Sequence, residues 1–177
     1  MERFERGSRS FAMKNLQRHQ AWITLGFRLI LGGVLLVAGA IKATDPYGSA
    51  TSVRAYQVLP VHVANFFGFV LPFAEIALGI FLIVGIWVRF IALASSALMI
   101  AFVIAIGQAW ARGISLDCGC FGKGGLIDSG ELPVWNYTIE IGRDILLALT
   151  GAYMFRFPIG KFGLDKSKSE ITGEDNG

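Results

Sequence analysis

Four stretches of this chain are long and apolar enough to cross a bilayer core as helices, which takes about 20 such residues in a row. They run from about Ala21 to Ile41, Ala64 to Ile86, Val88 to Ala111 and, more polar than the rest, Asn136 to Phe155. Inside lipid each backbone N–H and C=O must find its partner within the protein, so such stretches are restricted to helices. Composition agrees, because 54% hydrophobic and 16% charged residues over a chain of 177 is too apolar for a water-soluble globule. The expected fold is an all-α membrane protein, an antiparallel four-helix transmembrane bundle forming a single domain. Residues 1–20 are read as a basic cytoplasmic segment, 21–156 as the four-span domain with an outward loop at 112–135, and 157–177 as a polar cytoplasmic tail, disordered from Lys166 onward. The fourth stretch carries Glu140, Arg143 and Asp144, yet Trp135, Tyr137, Tyr153 and Phe155 mark its ends as interfacial aromatic belts do.

Lysines and arginines set the orientation. Arg3, Arg6, Arg9, Lys14 and Arg18 precede the first span, Arg89 follows the second, and Arg156, Lys161, Lys166 and Lys168 follow the fourth. The other side holds only Lys42, Arg54, Arg112 and Lys123. The positive-inside rule then puts both termini in the cytoplasm of a bacterium and the outward loop in the periplasm, with the protein in the inner membrane. The net charge of +3 serves this orientation, and no nucleic-acid partner is expected. The first apolar run is followed by Lys42-Ala43-Thr44-Asp45-Pro46 rather than a small-residue cleavage site, so it reads as a retained anchor. Val53, Tyr56, Val58 and Leu59, ended by Pro60, suggest a short interfacial helix. The turn Gly85-Ile86-Trp87-Val88-Arg89 is short enough to make the second and third spans antiparallel neighbours. Gly32, Gly33, Gly39, Gly79 and Gly85 allow helix backbones to approach closely.

The two cysteines both lie in Cys118-Gly119-Cys120-Phe121-Gly122, in the outward loop. A Cys-x-Cys pair closes a ring only on a tight turn, and Gly119 gives that freedom. Strain and exposure favour a more oxidising potential, which suits a disulfide that is passed on, and the periplasm keeps such a bridge oxidised. Asp117 disfavours the thiolate at Cys118, whereas Lys123 favours it at Cys120, making Cys120 the better nucleophile. Cys118 and Cys120 are therefore the candidate catalytic pair. A static bridge is an alternative, although it closes too short a loop to constrain much of the unfolded chain. A metal site comes last, since the cysteines with His62 and Asp117 make a weak ligand set, and no metal is expected.

Charges within the spans are the other informative residues. Arg28 lies about 10 Å along the first helix, Glu75 near the middle of the second, and Arg143 and Asp144 about two turns into the fourth. A bare charge at such depth costs several kcal/mol, so each is expected to face the bundle interior and find a partner. The four sum to zero. Glu75 can reach either arginine depending on helix order, and Glu140, Arg143 and Asp144 share one helix face. Their role is either to fix helix register and pairing or to handle protons or a quinone, with Glu75 exchanging protons in step with redox chemistry at the loop. Pro72, three residues ahead of Glu75, either opens a polar pocket or merely bends the helix.

Taken together these residues resemble the MauE/DoxX group of four-helix bacterial membrane proteins, and the MauE branch more than the DoxX branch because of Asp117-Cys118-Gly119-Cys120-Phe121-Gly122. Arg28, Gly39-Ala40-Ile41-Lys42 with Asp45-Pro46, Ala55-Tyr56-Gln57-Val58-Leu59-Pro60, Leu71-Pro72 with Glu75 and Gly79, and Arg143-Asp144 also match, over about Ala21 to Phe155. The resemblance implies an accessory role. MauE-like proteins are associated with methylamine utilisation, where they are thought to help mature a periplasmic, disulfide-rich dehydrogenase subunit together with a thioredoxin-like partner. DoxX-like relatives are linked to quinone-dependent sulfur oxidation and membrane oxidoreductase complexes. On that footing Cys118 and Cys120 are the redox pair, and Arg28, Glu75, Arg143 and Asp144 the supporting network. The partners are membrane lipid and a periplasmic thioredoxin-like protein or client enzyme. A quinone is the one cofactor to consider, since the sequence has no haem-ligand pair, flavin fingerprint or iron–sulfur cysteine set. The expected function is a thiol–disulfide redox accessory protein. Its rival is a non-catalytic anchor or assembly subunit of a quinone-linked respiratory or sulfur-oxidising complex, and a transporter ranks third, for want of repeats or paired broken helices.

Overall fold

Apolar stretches that must satisfy their own backbone fold as helices, and the computed structural model, which describes residues 2–114, 116–117, 125–126 and 134–157, is helical almost throughout. The order is α1 (Glu2–Thr44), α2 (Pro46–Ala55), α3 (Val61–Val84), α4 (Val88–Ala111), β1 (Leu116–Asp117), β2 (Gly125–Leu126) and α5 (Val134–Arg156). Among the described residues three segments are long and apolar enough to cross a membrane: Gln20–Thr44 within α1, and the whole of α3 and of α4. Leu29, Ile30, Phe66, Phe73, Phe90 and Ile104 are exposed along them, the apolar exterior that suits a lipid solvent. α5 has a similar length, 23 residues, but Glu140, Arg143 and Asp144 keep it out of that group.

Helix limits follow local chemistry. α4 has the bounds that its hydropathy predicts, whereas α1 runs three residues beyond Ile41, to Thr44, carrying Lys42 inside the helix. Gly85 ends α3 in the left-handed region, φ 81, and its N–H and that of Ile86 both return to the Phe81 carbonyl at 2.8 and 3.1 Å. Asp45 starts α2 by accepting from the Gly48 N–H at 2.9 Å, with Pro46 in the first turn. The amphipathic stretch expected from Val53 to Leu59 is helical only as far as Ala55, because Gln57 adopts φ 52, which a right-handed helix does not allow.

Packing divides the long helices into two pairs. α1 lies on α3 with Gly32 against Gly79 and Gly39 against Pro72, so residue numbers rise on one helix as they fall on the other, an antiparallel register. Each glycine is required there: a Cβ on Gly79 would come within 2.7 Å of the Gly32 carbonyl oxygen and 2.9 Å of the Leu36 nitrogen. α4 and α5 pair likewise, with Ser96 Oγ donating to the Ala148 carbonyl at 2.8 Å and Gly151 lying against Ala92 and Ser96. Leu31, Leu35, Leu82, Met99, Leu147 and Met154 fill the seam between the pairs. Near one end it is closed by Phe27 edge-on to Tyr153, 5.3 Å between ring centres, and by Thr24 Oγ1 donating to the Phe157 carbonyl at 3.3 Å.

Candidate functional site

Each ionisable side chain within these helices has to answer for its burial. Arg28, only 2% exposed, does so by crossing from α1 to the end of α3, where Nε donates to the Leu82 carbonyl at 2.8 Å and a terminal nitrogen to the Ile83 carbonyl at 3.0 Å. The last carbonyls of a helix lack intrahelical donors and carry the negative end of its dipole, so a guanidinium is well suited to that place. Arg28 is therefore a helix cap, about 21 Å along α1 from Lys42.

The remaining charges gather in the seam. Glu75 stands on α3 opposite Gly39, where a Cβ would be 3.0 Å from the Glu75 Cβ, so the bare glycine lets the acidic residue reach α1. There it meets Lys42, three residues beyond Gly39, with Nζ 2.7 Å from Oε1 and side-chain exposures of 10% for the lysine and 1% for the glutamate. The same Nζ lies 4.9 Å from the centre of the Phe102 ring of α4, a cation–π contact across the seam. On α5, Arg143 folds onto its neighbour, placing Nε 2.9 Å and a terminal nitrogen 2.8 Å from Asp144 Oδ1. Lys42, Glu75, Arg143 and Asp144 line one cavity with Val34, Leu35, Ala38, Met99, Phe102 and Leu147. The space at its centre is about 20 Å³, room for a water molecule. Glu75 Oε2 and Asp144 Oδ2 are both buried and have no hydrogen-bond donor among the described residues.

Glu75, Arg143 and Asp144 thus line one cavity, and Arg28 stands apart. By depth alone Glu75 can reach either arginine, depending on helix order. Both arginines hold onto other groups, Arg28 the α3 carbonyls and Arg143 the adjacent carboxylate, and the lysine takes Glu75 instead. Lys42 is the residue that sequence reasoning missed, counted there among the outward cations. Its spacing of one turn from Gly39 on a packing face was the signal available.

Towards the loop the seam is covered by Ile106, Ala109 and Tyr137, all fully buried. Tyr137 Oη donates to the Ile114 carbonyl at 2.6 Å, Gln108 Nε2 to the Tyr56 carbonyl at 2.7 Å, and Arg112 to the carbonyl and side-chain oxygens of Gln57 at 3.2 and 3.3 Å. These bonds tie the end of α4 to the turn after α2 and to the start of α5. β2 in turn packs on α2. The antiparallel ladder sets Leu116 opposite Leu126 and Asp117 opposite Gly125, so the segment 118–124 leaves and returns at points about 5 Å apart. Cys118 and Cys120 belong to that segment and lie outside the described residues.

Searches of curated proteins and of solved structures gave no match. A family model does match, that of methylamine utilisation protein MauE, over residues 20–156. Those limits take in the apolar part of α1, every later helix and the cysteine segment, and with three helices fit to cross a membrane the chain belongs, as a multi-pass membrane protein, to the MauE family.

Proposed function

We propose that this protein is a thiol–disulfide accessory of the bacterial inner membrane, in which Cys118 and Cys120 exchange disulfides with a periplasmic partner during maturation of a methylamine dehydrogenase-type enzyme. The observation that carries this reading is the β1–β2 ladder, which brackets the cysteine segment and rests on α2, the turn after which is bonded to the end of α4. Exchange proceeds by in-line attack of a thiolate on a disulfide sulfur, and the ladder fixes the two points between which the chain carrying both cysteines runs. α5 serves as the fourth span, and both termini are cytoplasmic.

The exchange balances as follows. One thiolate of the partner attacks a sulfur of the Cys118–Cys120 disulfide and forms a mixed disulfide; the partner's second thiolate then breaks it. The partner gains a disulfide, and Cys118 and Cys120 become thiols, taking up two electrons and two protons. An acceptor returns them to the disulfide. This acceptor is a quinone or a second thiol–disulfide protein.

Trapping tests the proposal. With Cys118→Ser in living cells, Cys120 should accumulate a covalent adduct that runs as a heavier band without reductant and yields the partner by mass spectrometry. Cys120→Ser should give a weaker band. Client bridges that form normally in the double serine variant, with neither single variant trapping an adduct, would sink the redox reading and leave the anchoring role.

A further inference from the structure

Arg89, the second residue of α4, and Arg156, the last of α5, lie at the same end of an antiparallel pair, and both are exposed. The Arg89 guanidinium sits 4.8 Å from the centre of the Phe155 ring, and that of Arg156 sits 5.3 Å from the centre of the Phe157 ring. Neither arginine has an acidic partner or a hydrogen-bond acceptor among the described residues. We propose that these two arginines head a groove on the side of the α4–α5 pair away from the seam that binds an anionic phospholipid, its phosphate between the guanidiniums and one acyl chain along the helices. The inference does not rest on the cysteine chemistry and shares with the proposed function only the crossing of the membrane by α5.

Helical spacing places the lining. Arg89, Leu93 and Ile100 stand at i, i+4 and i+11 on one flank of α4, and Arg156, Ala152 and Ile145 repeat those intervals in reverse on α5. Ser96 against Ala148 and Gly151, and Arg89 against Phe155, fix the register of the two helices. Arg89 is then level with Arg156, Leu93 with Ala152, and Ile100 with Ile145. All six are exposed, whereas Met99, Leu147 and Met154 of the same helices turn the other way, into the seam. From Arg89 to Ile100 the flank runs about 16 Å, roughly half the thickness of a hydrocarbon core and so the depth of one leaflet.

The head of the groove suits phosphate. A ring face gives a guanidinium no acceptor for its in-plane N–H donors, and phosphate oxygens fill such a fork with charge-assisted hydrogen bonds. Two unpaired positive charges at the membrane surface also draw anionic lipid in preference to zwitterionic lipid. A helix of another protein would cover the apolar flank but leave both guanidiniums unfilled unless it carried acids at that depth. An anionic phospholipid presents phosphate and then chain in the order in which the groove presents arginine and then leucine, alanine and isoleucine.

The test uses the full chain in detergent micelles, with native mass spectra recorded after addition of dioleoylphosphatidylglycerol or dioleoylphosphatidylcholine. The wild type should retain the anionic lipid at least fivefold more than the zwitterionic one; a smaller preference overturns the proposal without recourse to any variant. Arg89→Gln/Arg156→Gln should bring the preference below half its wild-type value. Arg54→Glu lowers the net charge by the same amount at the other end of the bundle and should leave more than half. Either result reversed assigns the preference to overall charge and sinks the site. Ala152→Trp, which fills the groove beside Leu93, should cut retention of the anionic lipid at least threefold, and a smaller loss overturns the seat for the chain. A large excess of inorganic phosphate should leave the lipid bound; displacement would make this a site for free anions instead.

Discussion

At the scale of single residues the Lys42–Glu75 pair behaves as buried ion pairs generally do, contributing little as a pair and a great deal when halved. Glu75 is sealed in, whereas Lys42 keeps a tenth of its side chain exposed near the end of α1 and has four methylenes on which to swing its ammonium outward. The two single deletions are therefore unequal. Lys42→Met strands a carboxylate and should destabilise the protein by about 3–5 kcal/mol. Glu75→Leu frees a lysine that can reach the interface, and should cost less than Lys42→Met. The double variant Lys42→Met/Glu75→Leu should return to within about 1 kcal/mol of the wild type, since apolar replacement of both partners is often neutral. Unfolding midpoints in mixed micelles order these four proteins, and a double variant no better than Lys42→Met would mean that the charges do more than neutralise each other. Arg28 shows the other way of holding a charge inside: its guanidinium donates to helix-end carbonyls, and this explains why summing the formal charges in the spans does not reveal the pairing.

Elements were legible where hydropathy alone decides and less so where contacts do. α4 could be bounded from its sequence because both its ends coincide with a change from apolar to polar or to a turn. α1 could not, since Lys42 ends the apolar run while the helix continues to deliver that lysine to Glu75. The glycines were recognised as packing residues, but which of them pack depends on the facing helix. Gly79 and Gly39 meet backbone at 2.7 Å from where a Cβ would sit, whereas Gly33, one residue round from Gly32, has nothing within 4 Å. A paired comparison follows. Gly33→Ala should be neutral or stabilise α1 by up to about 1 kcal/mol through helix propensity. Gly79→Ala, which forces two backbones apart, should destabilise by about 1–3 kcal/mol, as overpacking does. Equal effects at the two positions, measured by the same unfolding midpoints, would mean that α1 and α3 do not meet in this register. The cysteine loop was legible as a motif and the ladder that brackets it was not, because two-residue strands have no periodicity to read.

For the whole molecule the question is how α5 lies relative to the three apolar helices. Average hydropathy counts Glu140, Arg143 and Asp144 against a membrane position wherever they point, yet Asp144 is buried in the seam while Ile145, Leu146 and Leu149 are exposed on the other side of the helix. α5 also follows α4 along its length, from Tyr137 beside Trp110 to Phe155 under Arg89 at 4.8 Å from the ring centre. A helix pair so matched, one member of which can cross the membrane, favours crossing by both, with the polar face turned to Lys42 and Glu75 rather than to lipid. The basic residues then agree, because Arg89 and Arg156 fall on the same side as the N-terminal cluster. Reporter fusions decide the matter. A fluorescent protein that matures in the cytoplasm should glow when fused after Arg156, and a phosphatase active only outside the cell should work when fused after Arg112. Phosphatase activity at Arg156 would leave α5 on the outer face, with Asp144 and Arg143 no longer opposite Glu75 within the membrane.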